Sequence, residues 1–229
     1  MSRQVRRLPI LVCLGLMLVY PVFSTHVQGS TVTLAPRFGE INARLITEGA
    51  IWLYGAIVLG VALLWERRTL ASIGLRRPTF GAALWGVAAA IALLVLSGLA
   101  SFVTYNVLHQ ANHTAAQIEA LVRGSLVYAF FLALRGGVIE EIFFRGLAIE
   151  QLTLLTGRRW VAALSATLLF IFVHALRFDL RQLIPIATAS FGFMALYLWR
   201  RNLLVNIIAH FLIDALALGA VAVHATSLY

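Results

Sequence analysis

The sequence predicts an all-α fold: a polytopic transmembrane helical bundle of about seven spans, organised as a single transmembrane domain over residues 1–229. Three observations predict it. Of the residues, 61% are hydrophobic and only 12% charged, with a mean hydropathy of +0.91, so there is too little polar surface to cover a water-soluble globule of this length. Apolar stretches long enough to cross ~30 Å of hydrocarbon as helices recur along the chain. The arginines fall in short clusters between those stretches, so the net charge of +9 reads as a topology signal and not as a nucleic-acid surface.

In order, the apolar stretches are Leu8–Val27, Leu45–Trp65, Phe80–Leu108, Gly124–Leu155, Trp160–Leu176, Leu183–Trp199 and Leu203–Val223. The third and fourth exceed the ~20 residues that a span needs, which predicts tilt or continuation past the membrane surface. The first follows Arg3, Arg6 and Arg7 and contains Val22-Phe23-Ser24, features shared with a cleavable signal; it is read here as the first span. The polar connections around Gly29–Arg44 and His109–Arg123 are too short to fold alone. The single cysteine, Cys13, lies inside an apolar run, which excludes an intrachain disulfide, a thiolate zinc cage and a two-cysteine redox motif.

Cytoplasmic loops retain basic residues, and all eighteen basic residues here are arginine. One set of loops carries Arg3, Arg6, Arg7, Arg67, Arg68, Arg76, Arg77, Arg158, Arg159, Arg200 and Arg201; the opposite set has only Arg37, Arg44, Arg123, Arg177 and Arg181. The first set belongs inside. The N-terminus is therefore expected in the cytoplasm, with Arg177 and Tyr229 outside. The expected location is the plasma (inner) membrane of a prokaryote.

A charge at the centre of a bilayer helix costs about 2.5–3.5 kcal/mol on insertion scales, so intramembrane ionisable residues invite a functional reading. Three spans carry them. The fourth contains Arg135, then Glu140, Glu141 and Arg145; the fifth ends at Phe170-x-x-x-His174; the seventh carries Asn206, His210 and Asp214 at intervals of four. Neighbours on a helix point about 100° apart and residues four apart share a face. Arg145 can thus neutralise Glu141 as a structural ion pair and leave Glu140 facing elsewhere. At ~1.5 Å per residue, Glu140 lies about 22 Å from Leu155, His174 about 21 Å from Trp160 and His210 about 12 Å from Asn202, which allows a shared depth.

A carboxylate and two imidazoles around a water-filled cavity suit hydrolysis. Glu140 can take a proton from water, His174 can hold that water, and His210 with Asp214 can stabilise charge on a scissile carbonyl oxygen. The same residues can instead hold a divalent metal such as zinc through His174, His210 and one carboxylate, Glu140 or Asp214. The sequence leaves open whether the cofactor is a metal or none. A lone membrane histidine most often bonds one helix to another, so the catalytic reading rests on the set taken together. A transporter using Glu140, His174 and His210 as a proton relay is the alternative. Phe170 is expected to pack and wall the cavity, and Gly136-Gly137 to permit close helix approach or a locally irregular helix. His26, His109, His113 and His224 sit near span ends, where a solvated role is expected.

Glu140-Glu141-x-x-x-Arg145, Phe170-x-x-x-His174 and His210-x-x-x-Asp214, in this order on hydrophobic segments within residues 124–223, resemble the motifs of the CPBP (Abi) family of intramembrane peptidases, which includes the CAAX prenyl endopeptidases. The resemblance implies a helical membrane fold with a conical cavity open toward the cytoplasm, and endopeptidase activity on a membrane-embedded or lipidated protein or peptide. It assigns Glu140 and His174 to water activation and His210 with residue 214 to the oxyanion. Family members are described both as metalloproteases and as glutamate-dependent proteases, and some relatives as scaffolds or bacteriocin-immunity proteins. The prenyl proteases typically carry Asn where this chain has Asp214. An ionised Asp cannot donate a hydrogen bond, so Asp214 is protonated, orients His210 or ligates a metal, and the departure points away from a prenylated substrate.

Overall fold

The computed structural model describes residues 7–108, 122 and 125–226. Each of the seven apolar segments folds as a helical rod, and no strand occurs among the described residues. The first rod is α1 (Arg7–Gly29) followed by a short α2 (Thr31–Phe38); the second is α3 (Glu40–Gly60), whose end widens into a π-helical turn at Val61–Trp65; the third is α4 (Phe80–Leu108). The fourth runs from α5 (Leu126–Arg135) through a π-helical stretch, Gly136–Ala148, into α6 (Ile149–Thr156). The last three are α7 (Arg159–Ala175), α8 (Leu180–Arg200) and α9 (Leu203–Thr226). The connection expected around Gly29–Arg44 is thus largely helical. The sequence expectations for Arg3, Arg6, His109, His113, Arg123 and Tyr229 fall outside the described residues.

Five rods are long and apolar enough to cross a membrane: Arg7–Phe38, Glu40–Trp65, Phe80–Val107, Leu180–Arg200 and Leu203–His224. The other two of the expected seven differ for identifiable reasons. The fourth rod carries Arg135, Glu140, Glu141 and Arg145, and α7 is only 17 residues long. They are also the rods that bear Glu140 and His174.

The bundle surface is hydrocarbon. On α4, Leu84, Ile91, Val95 and Phe102 are exposed, as are Leu11, Leu18 and Val22 on α1, which fits a lipid solvent and not water. Inside, Ile51, Val58, Ile139, Phe143, Leu147 and Phe170 form part of one core between α1, α3, the π-helical stretch and α7. α4 packs on α8 and α9, and the π-helical stretch packs on α9. Pro21 and Pro185 lie within α1 and α8. The Pro21 carbonyl accepts from Ser24 Oγ at 3.1 Å and Thr25 Oγ1 at 2.8 Å, so local hydroxyls serve that oxygen.

The two ends of the bundle differ. At the end bearing Arg67, Arg76, Arg158 and Arg200, a polar network seals the helices. Gln151 donates to Glu66 Oε2 at 2.7 Å, and Tyr197 donates to Glu150 Oε1 at 2.9 Å, with the Ile73 carbonyl 3.3 Å from the same hydroxyl. Glu66 pairs with Arg68 and Glu150 with Arg159. Gly74 turns the chain beneath Tyr197 with φ +82°; a side chain there would meet the Tyr197 hydroxyl at 2.7 Å, and the Gly74 carbonyl accepts from Leu203 N at 2.8 Å. At the opposite end the helices enclose a cavity of about 690 Å³, reached past Gln28, Tyr105, Phe178 and Asp179. The arginine-rich loops, expected in the cytoplasm, lie at the sealed end and the cavity mouth at the other, so the expected placement of those loops and the expected cytoplasmic opening of the cavity are alternatives in this fold.

Candidate active site

Glu140, Phe170, His174, His210 and Asp214 all line the one cavity, with Arg135, Gly136, Ser190 and Phe193 among their neighbours. Glu141, Arg145 and Asn206 stand behind them as buried support. The structure therefore brings together the eight site residues singled out from the sequence, and it divides the two adjacent glutamates sharply.

Glu141 is fully buried and serves three partners. Arg145 Nη1 donates to its Oε1 at 2.8 Å, Asn206 Nδ2 to its Oε2 at 3.2 Å, and His210 Nδ1 lies 2.8 Å from Oε1. The expected Glu141–Arg145 pair is present, but Glu141 is also the group that fixes the His210 ring, a role that spacing along one helix does not reveal. Arg145 places Nη2 2.9 Å from Ser190 Oγ and lies between two aromatic faces, its guanidinium carbon 4.6 Å from the Phe170 centroid and 5.3 Å from that of Phe193. Planar stacking and forked donation together are what guanidinium supplies and ammonium does not.

Glu140 has a different environment. It makes no hydrogen bond among the described residues, and its carboxylate borders both the large cavity and a smaller one of about 50 Å³ lined also by Tyr20, Arg135, His174 and Arg177. That smaller space has polar groups on its wall and is large enough for water. Arg135 and Arg177 lie within electrostatic reach of Glu140.

The imidazoles are held by rings and by their own helices. His174 Nδ1 lies 2.9 Å from the Phe170 carbonyl, and the ring packs on Phe170 at 4.2 Å and parallel to Phe178 at 5.9 Å. His210 stacks on Phe193 at 4.8 Å, and its Nε2 is 3.5 Å from Asp214 Oδ2. Of the options for Asp214, the geometry provides contact with His210. Gly136 makes this possible, since a Cβ there would lie 2.6 Å from Asp214 Oδ2 and 3.6 Å from His210 Nε2. A Cβ on Gly137 would meet Phe211 Cβ at 2.8 Å and Phe211 N at 2.9 Å. The glycine pair both permits close approach to α9 and stands at the start of the π-helical stretch, a helix form frequent at functional positions.

As arranged, the residues do not fit a three-ligand zinc site. Carboxylate oxygens face both nitrogens of His210, and among the described residues no three His, Cys, Asp or Glu side chains are grouped to hold a metal ion.

Several residues at the site lie in spans with no motif. Arg135 pairs with Glu48 on α3, Nε to Oε2 at 3.0 Å, and its Nη1 donates to the Tyr20 hydroxyl at 3.0 Å. Arg177 donates to Thr25 and lies 3.2 Å from Ser24 Oγ, tying the end of α7 to α1. A signal for the first pairing was available: Arg135 is a buried cation inside an apolar span and requires a carboxylate, and Glu48 lies four positions into the second apolar stretch.

Residues 122–216 match a family described as type II CAAX prenyl endopeptidase Rce1-like, and the match includes Glu140 through Asp214. No curated protein and no solved structure matches the chain.

Proposed function

Because residues 122–216 match the type II CAAX prenyl endopeptidase Rce1-like family, we propose an intramembrane endopeptidase that hydrolyses a peptide bond of a membrane-associated polypeptide, with Glu140 as general base. One observation carries the proposal. Of two adjacent glutamates, Glu141 is saturated by Arg145, Asn206 and His210, whereas Glu140 is unbonded and borders water-sized space beside His174.

Glu140 takes a proton from a water held between it and His174, and the water oxygen attacks the scissile carbonyl carbon. The electron pair of the carbonyl moves to its oxygen. Glu141 and Asp214 flank His210, and a ring that donates to both carries hydrogen on both nitrogens. Its Nε2–H, only loosely held by Asp214 at 3.5 Å, faces the cavity and is the donor offered to the developing oxyanion. Collapse of the adduct breaks the C–N bond, and the proton on Glu140 passes to the leaving nitrogen. Asp214, unable to donate while ionised, serves as a positioning residue for His210. Arg145 and Asn206 act one step further back, by holding Glu141.

The test is cleavage by the purified protein compared with Glu140→Gln. General base catalysis contributes on the order of 10²–10⁴ in rate, so the variant is expected to lose at least a hundredfold while unfolding like the parent. Equal cleavage by the two proteins removes Glu140 from the mechanism. Proton-coupled solute uptake with no cleavage by either favours the transporter reading.

A further inference from the structure

The direction in which the cavity opens, set against the distribution of arginines, bears on which substrates can reach Glu140. The mouth lies among Gln28 near the end of α1, Tyr105 near the end of α4, Phe178 and Asp179 just before α8, and Gln182 in its first turn. Arg37, Arg44, Arg177 and Arg181 share that end. The opposite end holds Arg7, Arg67, Arg68, Arg76, Arg77, Arg158, Arg159, Arg200 and Arg201, in short connections of the kind whose basic residues remain in the cytoplasm. That end is also closed across five elements by the Glu66, Glu150, Gly74 and Tyr197 network.

Two further features mark the arginine-rich end as a membrane boundary. Trp65, Trp160 and Trp199 lie at or within a turn of a rod terminus there, and Trp85 about a turn and a half inside the start of α4, as interfacial aromatics do. Arg200 lies over both Trp85 and Trp199, 4.8 Å and 5.0 Å from their centroids, a charged head anchored on amphipathic rings at headgroup level. At the mouth end, Arg177 is turned inward onto α1 and Arg44 onto Glu40 and the Tyr128 ring. Arg68 and Arg159 at the sealed end are likewise paired, with Glu66 and Glu150, and the asymmetry lies in number: among the described residues nine arginines stand at the sealed end and four at the mouth.

We infer that the hydrolytic cavity opens on the non-cytoplasmic face of the membrane, and that its substrates are membrane-anchored polypeptides whose scissile segment is presented from that face. The inference rests on the peptidase reading for the word substrate, but not for the orientation. It follows that a lipidated C-terminus displayed in the cytoplasm does not meet Glu140 by the open route, in keeping with Asp214 at the position where prenyl proteases carry Asn.

Orientation and catalysis are tested separately on the full chain. With Cys13→Ala removing the native thiol, Thr33→Cys on exposed α2 and Arg76→Cys in the α3–α4 connection place one thiol at each end. A membrane-impermeant maleimide added to intact cells is expected to modify Thr33→Cys at least tenfold more than Arg76→Cys, with the difference abolished by permeabilisation. A single-span reporter polypeptide, tagged on both sides and expressed in both orientations, then reads the face of cleavage against Glu140→Gln. Expected labelling with Glu140-dependent cuts on the outer juxtamembrane side supports the inference. Reversed labelling overturns it and leaves the peptidase reading intact. Expected labelling with no cleavage of either reporter overturns the substrate class together with the peptidase reading. Expected labelling with cuts confined to the cytoplasmic side overturns the inference alone.

Discussion

Gly137→Ala inserts a methyl group where the π-helical stretch meets α9. The added carbon would lie 2.8 Å from Phe211 Cβ, 2.9 Å from Phe211 N and 3.0 Å from Phe211 Cα, against an ordinary carbon–carbon separation of about 3.5–4.0 Å. Two of those atoms are backbone, so no side-chain rotation relieves the clash, and α9 must withdraw by about 1 Å at this point. His210 is the preceding residue. A withdrawal of that size takes its 2.8 Å contact with Glu141 past the usual hydrogen-bond range of about 3.2 Å. Overpacking costs about 1–3 kcal/mol, and a lost hydrogen bond to a charged group about 1.5–3 kcal/mol. The better helix propensity of Ala returns up to about 1 kcal/mol, so the net expectation is about 3 kcal/mol of destabilisation with more than tenfold loss of cleavage. Denaturation by sodium dodecyl sulfate in mixed micelles reads the first and peptide cleavage the second. Gly98→Ala, where nothing lies within 4 Å, is the control and is expected to be neutral or slightly stabilising. Gly136→Ala meets only the tip of Asp214, which can rotate, so it should cost little stability while impairing cleavage. Wild-type stability and cleavage in Gly137→Ala would refute the reasoning.

Arg145→Met strands the buried Glu141 carboxylate and is expected to cost about 3–5 kcal/mol, whereas Arg145→Lys, which keeps charge but loses the Ser190 bond and the stack between Phe170 and Phe193, should cost about 2 kcal/mol; indistinguishable denaturation midpoints for the two would contradict the forked geometry. Cleavage should survive exhaustive chelation in a preparation shown by elemental analysis to be metal-free; loss restored by one divalent metal would mean that His174 and His210 rearrange into a ligand set. Tyr197→Phe removes the hydroxyl that ties Glu150 to the Ile73 carbonyl and should cost about 1–2 kcal/mol with cleavage unchanged. A tenfold or greater loss of cleavage there would couple the sealed end to the site.

Hydropathy made the rods legible, because lipid requires each span to satisfy its own backbone and so writes length and apolarity into every one. The Glu141–Arg145 pair and the Asn206, His210, Asp214 stripe were legible for a similar reason, being separations of four on single helices. Partnerships between helices were not. Nothing local to Glu48 announces Arg135, and nothing local to Glu141 announces His210, since both depend on which rods become neighbours and at what rotation. The facing of the cavity was legible in principle. Depth counted from Trp160 placed His174 far into the membrane, yet counted from the other terminus of α7 it lies one residue from Ala175. A site containing that histidine therefore belongs near the opposite surface. Tyr20 and Ser24 escaped because their value comes from Arg135 and Arg177, which arrive more than a hundred residues later.

That delay has a consequence for how the protein is made. Glu48 enters the bilayer on α3 long before the ribosome has produced Arg135, and each of these charges alone opposes insertion by about 3 kcal/mol. In the finished bundle both are buried, with their charged groups 3.0 Å apart. During synthesis, α3 must either be carried by its remaining apolar residues or wait beside the translocation machinery until α5 brings the counter-charge. In the second case the ion pair sets an order of assembly in which the second span commits fully to lipid only once the fourth has been synthesised. Glu48→Gln, by removing the carboxylate from the early span, should speed the insertion of α3 while leaving Arg135 on α5 without its partner.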